Sequence, residues 1–149
     1  MYAPHTVTLY NQHVSQNDML EDVTENNITV LRGVFYDAVK ASNVKTGGLE
    51  NADSVTLFIP FGVGAYDGFL GTEKKYVPPK EYEDAADKSG IWTLTPDQKC
   101  FFIKGTAVAP EAGTLGDIKK MFDDVRIVTK VDEKDFGSEH MRHWQVGGA

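Results

Sequence analysis

Cysteine is almost absent from this 149-residue chain. The single Cys100 excludes an internal disulfide and a cysteine-only zinc site. Positive charge is also scarce and scattered: 15 Lys and Arg stand against 22 Asp and Glu, for a net charge of −7. No run of Lys and Arg occurs, which argues against a grip on nucleic acid or an anionic membrane. No apolar run approaches the ~20 residues of a membrane helix. The opening residues, MYAPHTVTLYNQ, lack a basic region followed by an apolar stretch, so a secretory signal is not expected. A soluble chain made in the cytosol is the expectation.

What is present is ordinary globular material. Apolar residues make up 41% and charged residues 25%, and the length suits one domain with its own core. Neither a repeat nor a low-complexity tract divides the chain, so residues 1–149 are read as one domain.

Strand patterns dominate. Thr6-Val7-Thr8-Leu9-Tyr10 alternates, with Val7 and Leu9 on one face, as a half-buried strand should. Residues 11–27 are polar and read as a long loop. Ile28 to Leu31 opens a second strand, and Gly33 marks a bulge or bend before Val34-Phe35-Tyr36 continues it. Ser54 to Phe61 alternates again, and Pro60, without an N–H to donate, ends that strand or puts it at an edge.

Further on, Pro78-Pro79 suits a first helical turn, and Lys80 to Lys88 reads as a short helix ended by Ser89-Gly90. Ile91 to Leu94 and Cys100 to Lys104 read as a hairpin around Thr95-Pro96-Asp97-Gln98. Thr114 is a helix N-cap with Asp117 three residues on, followed by Leu115, Ile118, Met121 and Phe122 at helical spacing. Arg126 to Val131 is read as a strand, and His143 to Val146 as the last one. The fold class expected is mainly β, a mostly antiparallel barrel or sandwich with one or two short α-helices.

Chemistry-bearing motifs are thin. His140 and His143 lie three apart, but without the helix that would put both on one metal, so no metal is expected. Cys100, between strand residues and beside Phe101 and Phe102, behaves as a small hydrophobe. Glu81, Glu83, Asp84 and Asp87 crowd one short segment and cannot face each other across a cleft. Asn27-Ile28-Thr29 is a formal glycosylation acceptor without a secretion signal to give it meaning. The glycines of residues 61–75 match neither a dinucleotide fingerprint nor a P-loop. No catalytic residue, cofactor or enzymatic activity is expected.

The same segment, FGVGAYDGFLGTEKK, is the exception to this blandness. It is glycine-rich and aromatic together, and apolar groups in a loop need a partner. Either it folds back on its own domain or it is a contact arm for another subunit, with Phe61, Tyr66, Phe69, Leu70, Lys74 and Lys75 as interface candidates.

Five segments in order carry a resemblance: HTVTLYN, SVTLFIPF, KKYVPPKEYED, SGIWTL with a strand closing in KG, and LGDIKKMFDDVRIVTKVDEKDFGSEHMRHWQV. Together they look like a family of small prophage proteins of Gram-positive hosts, encoded among head-to-tail morphogenesis genes. The resemblance spans nearly the whole chain. It implies a place in the virion, assembled in the bacterial cytoplasm: a head–tail connector, stopper or head-completion subunit. Such a subunit joins a homo-oligomeric ring beside portal or adaptor and tail proteins, lets DNA pass without specific binding, and meets no membrane. Alternatives are a tail terminator, a carbohydrate- or peptide-binding module using Trp92 and Trp144, and a hydrolase using scattered carboxylates.

Overall fold

The computed structural model describes residues 2–16, 18–39, 54–108 and 113–149. In chain order the strands are β1 (His5–Gln16), β2 (Asp22–Val39), β3 (Ser54–Pro60), β4 (Gly64–Asp67), β5 (Lys75–Tyr76), β6 (Ile91–Trp92), β7 (Cys100–Lys104), β8 (Arg126–Lys134) and β9 (His143–Gly148). Helix α1 (Pro79–Asp84) precedes β6, α2 (Leu115–Met121) precedes β8, and a 3-10 turn at Glu139–Met141 precedes β9.

Seven strands form one antiparallel sheet in the order β1-β7-β8-β9-β3-β2-β4, and β1 also pairs with β2. The pairing therefore returns to its start: six strands close a ring and β4 lies outside it on β2. Among the described residues the architecture is mostly antiparallel β with two short α-helices, ring-like but not a barrel. The irregularity has a local cause. Two strands change partners part-way, and each does so at a bulge. His5 faces Val34 and Thr6 faces Arg32, so Gly33 is the extra residue on β2, with φ of 93°. There glycine's freedom at positive φ is needed. Before it β2 pairs with β4, and after it with β3. On β8, Thr129 is skipped between Val128 and Lys130, where pairing passes to β9.

The interior of the ring holds Val7, Leu9, Leu31, Val34, Leu57, Ile59, Phe102, Trp144 and Val146, each the inward member of an alternating pair. A second core lies outside the ring, where Ile118 of α2 packs on Tyr10, Ile28, Phe101 and Ile103. This covers both faces of β1, so Thr8 and Tyr10 are buried too, against the half-buried strand expected. Thr8 Oγ1 donates to the Gly105 carbonyl at 2.8 Å and accepts from Ala107 N–H at 2.8 Å, which satisfies the buried hydroxyl.

Other expectations change as well. Residues 11–27 are not a loop, because Asn11 to Gln16 and Asp22 to Asn27 continue a ladder of β1–β2 pairs. Backbone hydrogen bonds extend a strand whatever its side-chain polarity, and a hairpin end with solvent on its sides has no need of apolar residues. The first helix stops at Asp84, short of Lys88. Residues 91–104 are not a paired hairpin: β6 runs parallel to β5, while β7 is held between β1 and β8. The capping box at α2 forms as the spacing predicts, Thr114 accepting from Asp117 N–H and Asp117 accepting from Thr114 N–H. Met121, however, faces solvent at 53% exposure.

Candidate functional site

The expected arm of residues 61–75 is a folded hairpin. Val63 N–H closes a tight turn onto the Pro60 carbonyl, β4 then lies along β2, and Tyr66 pairs back with Glu73. At its tip Asp67 Oδ2 accepts from the N–H groups of Phe69 and Leu70, at 2.9 and 2.8 Å. The loop is residues 68–71, closed by Asp67 N–H on the Thr72 carbonyl and by Gly71 N–H on the Asp67 carbonyl, with Gly71 at positive φ, so Asp-Gly here is not the two-residue turn its pattern suggests.

The six interface candidates separate into two groups. Phe61 turns inward, its ring 4.6 Å from Trp144. Tyr66 is half-buried under the Arg32 guanidinium, 5.4 Å from the ring centre. Lys74 is buried. Phe69 and Leu70 stay outside, 49% and 80% exposed, and Lys75 is exposed on β5. The structure therefore brings together only Phe69 and Leu70 as an apolar tip.

A buried polar network fixes that tip to the sheet. Lys74 Nζ donates to Asn27 Oδ1 at 2.6 Å, the Ile28 carbonyl at 3.0 Å and Thr29 Oγ1 at 3.2 Å, and pairs with Asp67 Oδ1 at 3.4 Å. Asn27 Nδ2 reaches on to Tyr82 Oη and to the carbonyls of Lys88 and Ile91. Burial works against the Asp67 carboxylate, but the N–H groups of Leu70 and Phe69 and the Lys74 charge outweigh it and hold its pKa below the usual value. Burial lowers the pKa of Lys74, with Asp67 opposing. Sequence reading missed Asn27, because its partners lie 47 to 64 residues away in the chain, and Asp67, although its partners Phe69, Leu70 and Lys74 are close in sequence.

Between this tip and the β1–β2 hairpin runs a groove of about 630 Å³, lined among others by Val14, Asn26, Phe69, Leu70 and Lys88. Cross-strand partners His13 and Glu25, 3.1 Å apart, brace the hairpin at its edge.

The other sequence candidates lie apart from one another. Cys100 is buried, and burial pushes its thiol up to about 12, far from a thiolate. His140 is on the 3-10 turn, whereas His143 begins β9, its ring tilted at 54° to Phe58 with centres 5.6 Å apart. Glu81, Glu83, Asp84 and Asp87 are exposed. Trp92 and Trp144 are buried and cross at 76°, so neither presents a face to a sugar or peptide. Among the described residues no three His, Cys, Asp or Glu side chains converge as metal ligands, and no helix is long and apolar enough to cross a membrane.

A family model described as "Family of unknown function (DUF6751)" matches residues 2–149. The chain belongs to that family. No curated protein and no solved structure matches it. In this DUF6751 member Phe69 and Leu70 are the exposed apolar side chains of the hairpin over residues 61–75.

Proposed function

We propose that this chain is a structural subunit of a tailed-phage virion, a head–tail connector or stopper protomer within a homo-oligomeric ring. Its resemblance to head–tail morphogenesis proteins suggests the place, and one observation carries the role: Asp67 clamps the backbone of Phe69 and Leu70 so that two large apolar side chains stand in solvent on an ordered hairpin. A preformed tip loses little entropy on docking. Burying each side chain against an adjoining ring contributes about 1.5–3 kcal/mol in gross terms, and repetition around a ring multiplies a weak contact. The net charge of −7 suits a channel wall that lets DNA pass unheld.

The test is the double variant Phe69→Ser/Leu70→Ser, supplied in place of the natural chain during phage growth. Both positions are exposed, so the variant folds with an unchanged circular dichroism spectrum. The expected result is DNA-filled or emptied heads separate from tails. Infectious particles at normal yield would overturn the reading.

A further inference from the structure

The buried centre that holds the β4 hairpin to β2 brings an amine, a carboxamide and a carboxylate to one point. The Lys74 side chain has no solvent exposure, and Asn27 is buried as well. Lys74 Nζ is 2.6 Å from Asn27 Oδ1, so it stands no more than ~3.8 Å from Asn27 Cγ, one C=O bond further on. The other end of the amide is fixed, with Nδ2 held by Tyr82 Oη at 3.1 Å and by the carbonyls of Lys88 and Ile91 at 2.8 and 2.9 Å. Asp67 Oδ1 lies 3.4 Å from the same Nζ, so a small movement lets it take a proton.

These are the parts of an amide-transfer site. A lysine is a nucleophile only as the neutral amine, and burial shifts Lys74 toward that form by lowering its pKa, although Asp67 opposes the shift. Burial also shuts out water, the competing nucleophile. The Ile28 carbonyl and Thr29 Oγ1 each accept from Nζ and hold the amine beside the amide. Two groups held in this way react as a single molecule does, without the entropy cost of an encounter.

We propose that Lys74 and Asn27 join through an isopeptide bond between their side chains, with Asp67 as the acid–base group. The Nζ–Cγ bond forms and the Cγ–Nδ2 bond breaks. Of the three ammonium protons, one moves to Asp67, one stays on the new amide, and one passes to Nδ2, which departs as ammonia. Asp67 then gives its proton to that ammonia, which leaves as ammonium. Atoms and charge balance without a co-reactant, and the escape of ammonia makes the step one-way. The product ties the β4 hairpin to β2 across 47 residues of chain. It restricts the unfolded state as a disulfide does, in a chain that has no second cysteine to form one. The proposal goes beyond the assembly reading and does not depend on it.

Intact mass spectrometry of the purified full chain, unfolded for the measurement, tests it. The parent is lighter than its sequence by one molecule of ammonia, and protease digestion releases a branched peptide that contains both Asn27 and Lys74. Asn27→Ala and Lys74→Arg each keep the full mass of their sequences. Asp67→Asn, shown to be folded by circular dichroism, forms the bond roughly a hundredfold more slowly, at the low end of what a positioned acid–base group contributes. The parent's own mass decides the matter even where a variant does not fold. A parent that keeps its full mass after prolonged incubation would overturn the proposal. So would a deficit of ammonia with linear peptides only, which marks a succinimide at an asparagine. A deficit of one water would place the bond on the Asp67 carboxylate and overturn it too, and a folded Asp67→Asn chain that loses ammonia at the parent's rate would remove Asp67 from the reaction.

Discussion

Lys74 donates to Asn27 across 47 residues of chain, ammonium to amide oxygen at 2.6 Å. Through this bond the β4 hairpin, β2, α1 and the segment after it share one buried polar centre, because Asn27 Nδ2 also reaches Tyr82, Lys88 and Ile91. Its two backbone carbonyl acceptors fix which end of the amide faces the lysine.

Lys74→Met removes a cation while leaving Asn27, Thr29 and Asp67 in place around an apolar tail. Breaking one side of a buried pair typically costs about 3–5 kcal/mol. Urea denaturation should show a loss of that order, with hydrogen exchange rising first at Phe69 and Leu70. A loss below about 1 kcal/mol, the scale of a surface pair, would mean that the network is ornamental.

Acid should loosen the same hairpin. Asp67 has a folded pKa below its unfolded value, so its contribution is fully present above the ordinary carboxylate range and disappears as pH falls through the lower folded value. Asp67→Asn removes this contribution at neutral pH, and the acid limb of its stability profile should be flatter than the parent's. Parallel profiles would show that another carboxylate governs the acid transition.

Gly148 sits at a point of no clearance. A Cβ there would lie 2.6 Å from Phe102 Cζ, inside the ring's core. Gly148→Ala should lower stability by about 1–3 kcal/mol, the usual cost of overpacking. A melting temperature equal to the parent's would show that Phe102 has room to retreat.

Much of this fold can be read from local signals, because their causes are local. Alternation places Val55, Leu57 and Ile59 inward, Gly33 makes the bulge, and Thr114 with Asp117 starts α2. The signals fail where a distant element decides. Thr8 and Tyr10 are polar or amphipathic positions buried only because α2 and residues 105–107 cover them. Polar Asn11 to Gln16 is strand only because Asp22 to Asn27 supplies its ladder. The tip was half legible: composition marked Phe69 and Leu70, but nothing near Lys74 announced that it would be buried.

That burial ties the tip to the fold. Removing Val63 to Thr72 deletes β4 and Asp67 together, so it damages the domain as well as the contact. A finer perturbation is available at Gly68, where a Cβ would stand 2.7 Å from Ile28 Cγ2, on a branched side chain with little freedom to move. Gly68→Ala should push the tip off β2 and strain the Gly68 N–H bond to the Ile28 carbonyl, now 3.0 Å. Gly71→Ala is the control: its Cβ meets open space, and only the positive φ of 70° is strained, at about 1 kcal/mol. Both variants keep Phe69 and Leu70. If docking depends on where the tip is held, Gly68→Ala should lose head–tail joining while Gly71→Ala retains most of it, with stability measured alongside by urea denaturation. Equal joining by the two variants would mean that the apolar chemistry alone matters and that the Asp67–Lys74 clamp is structural.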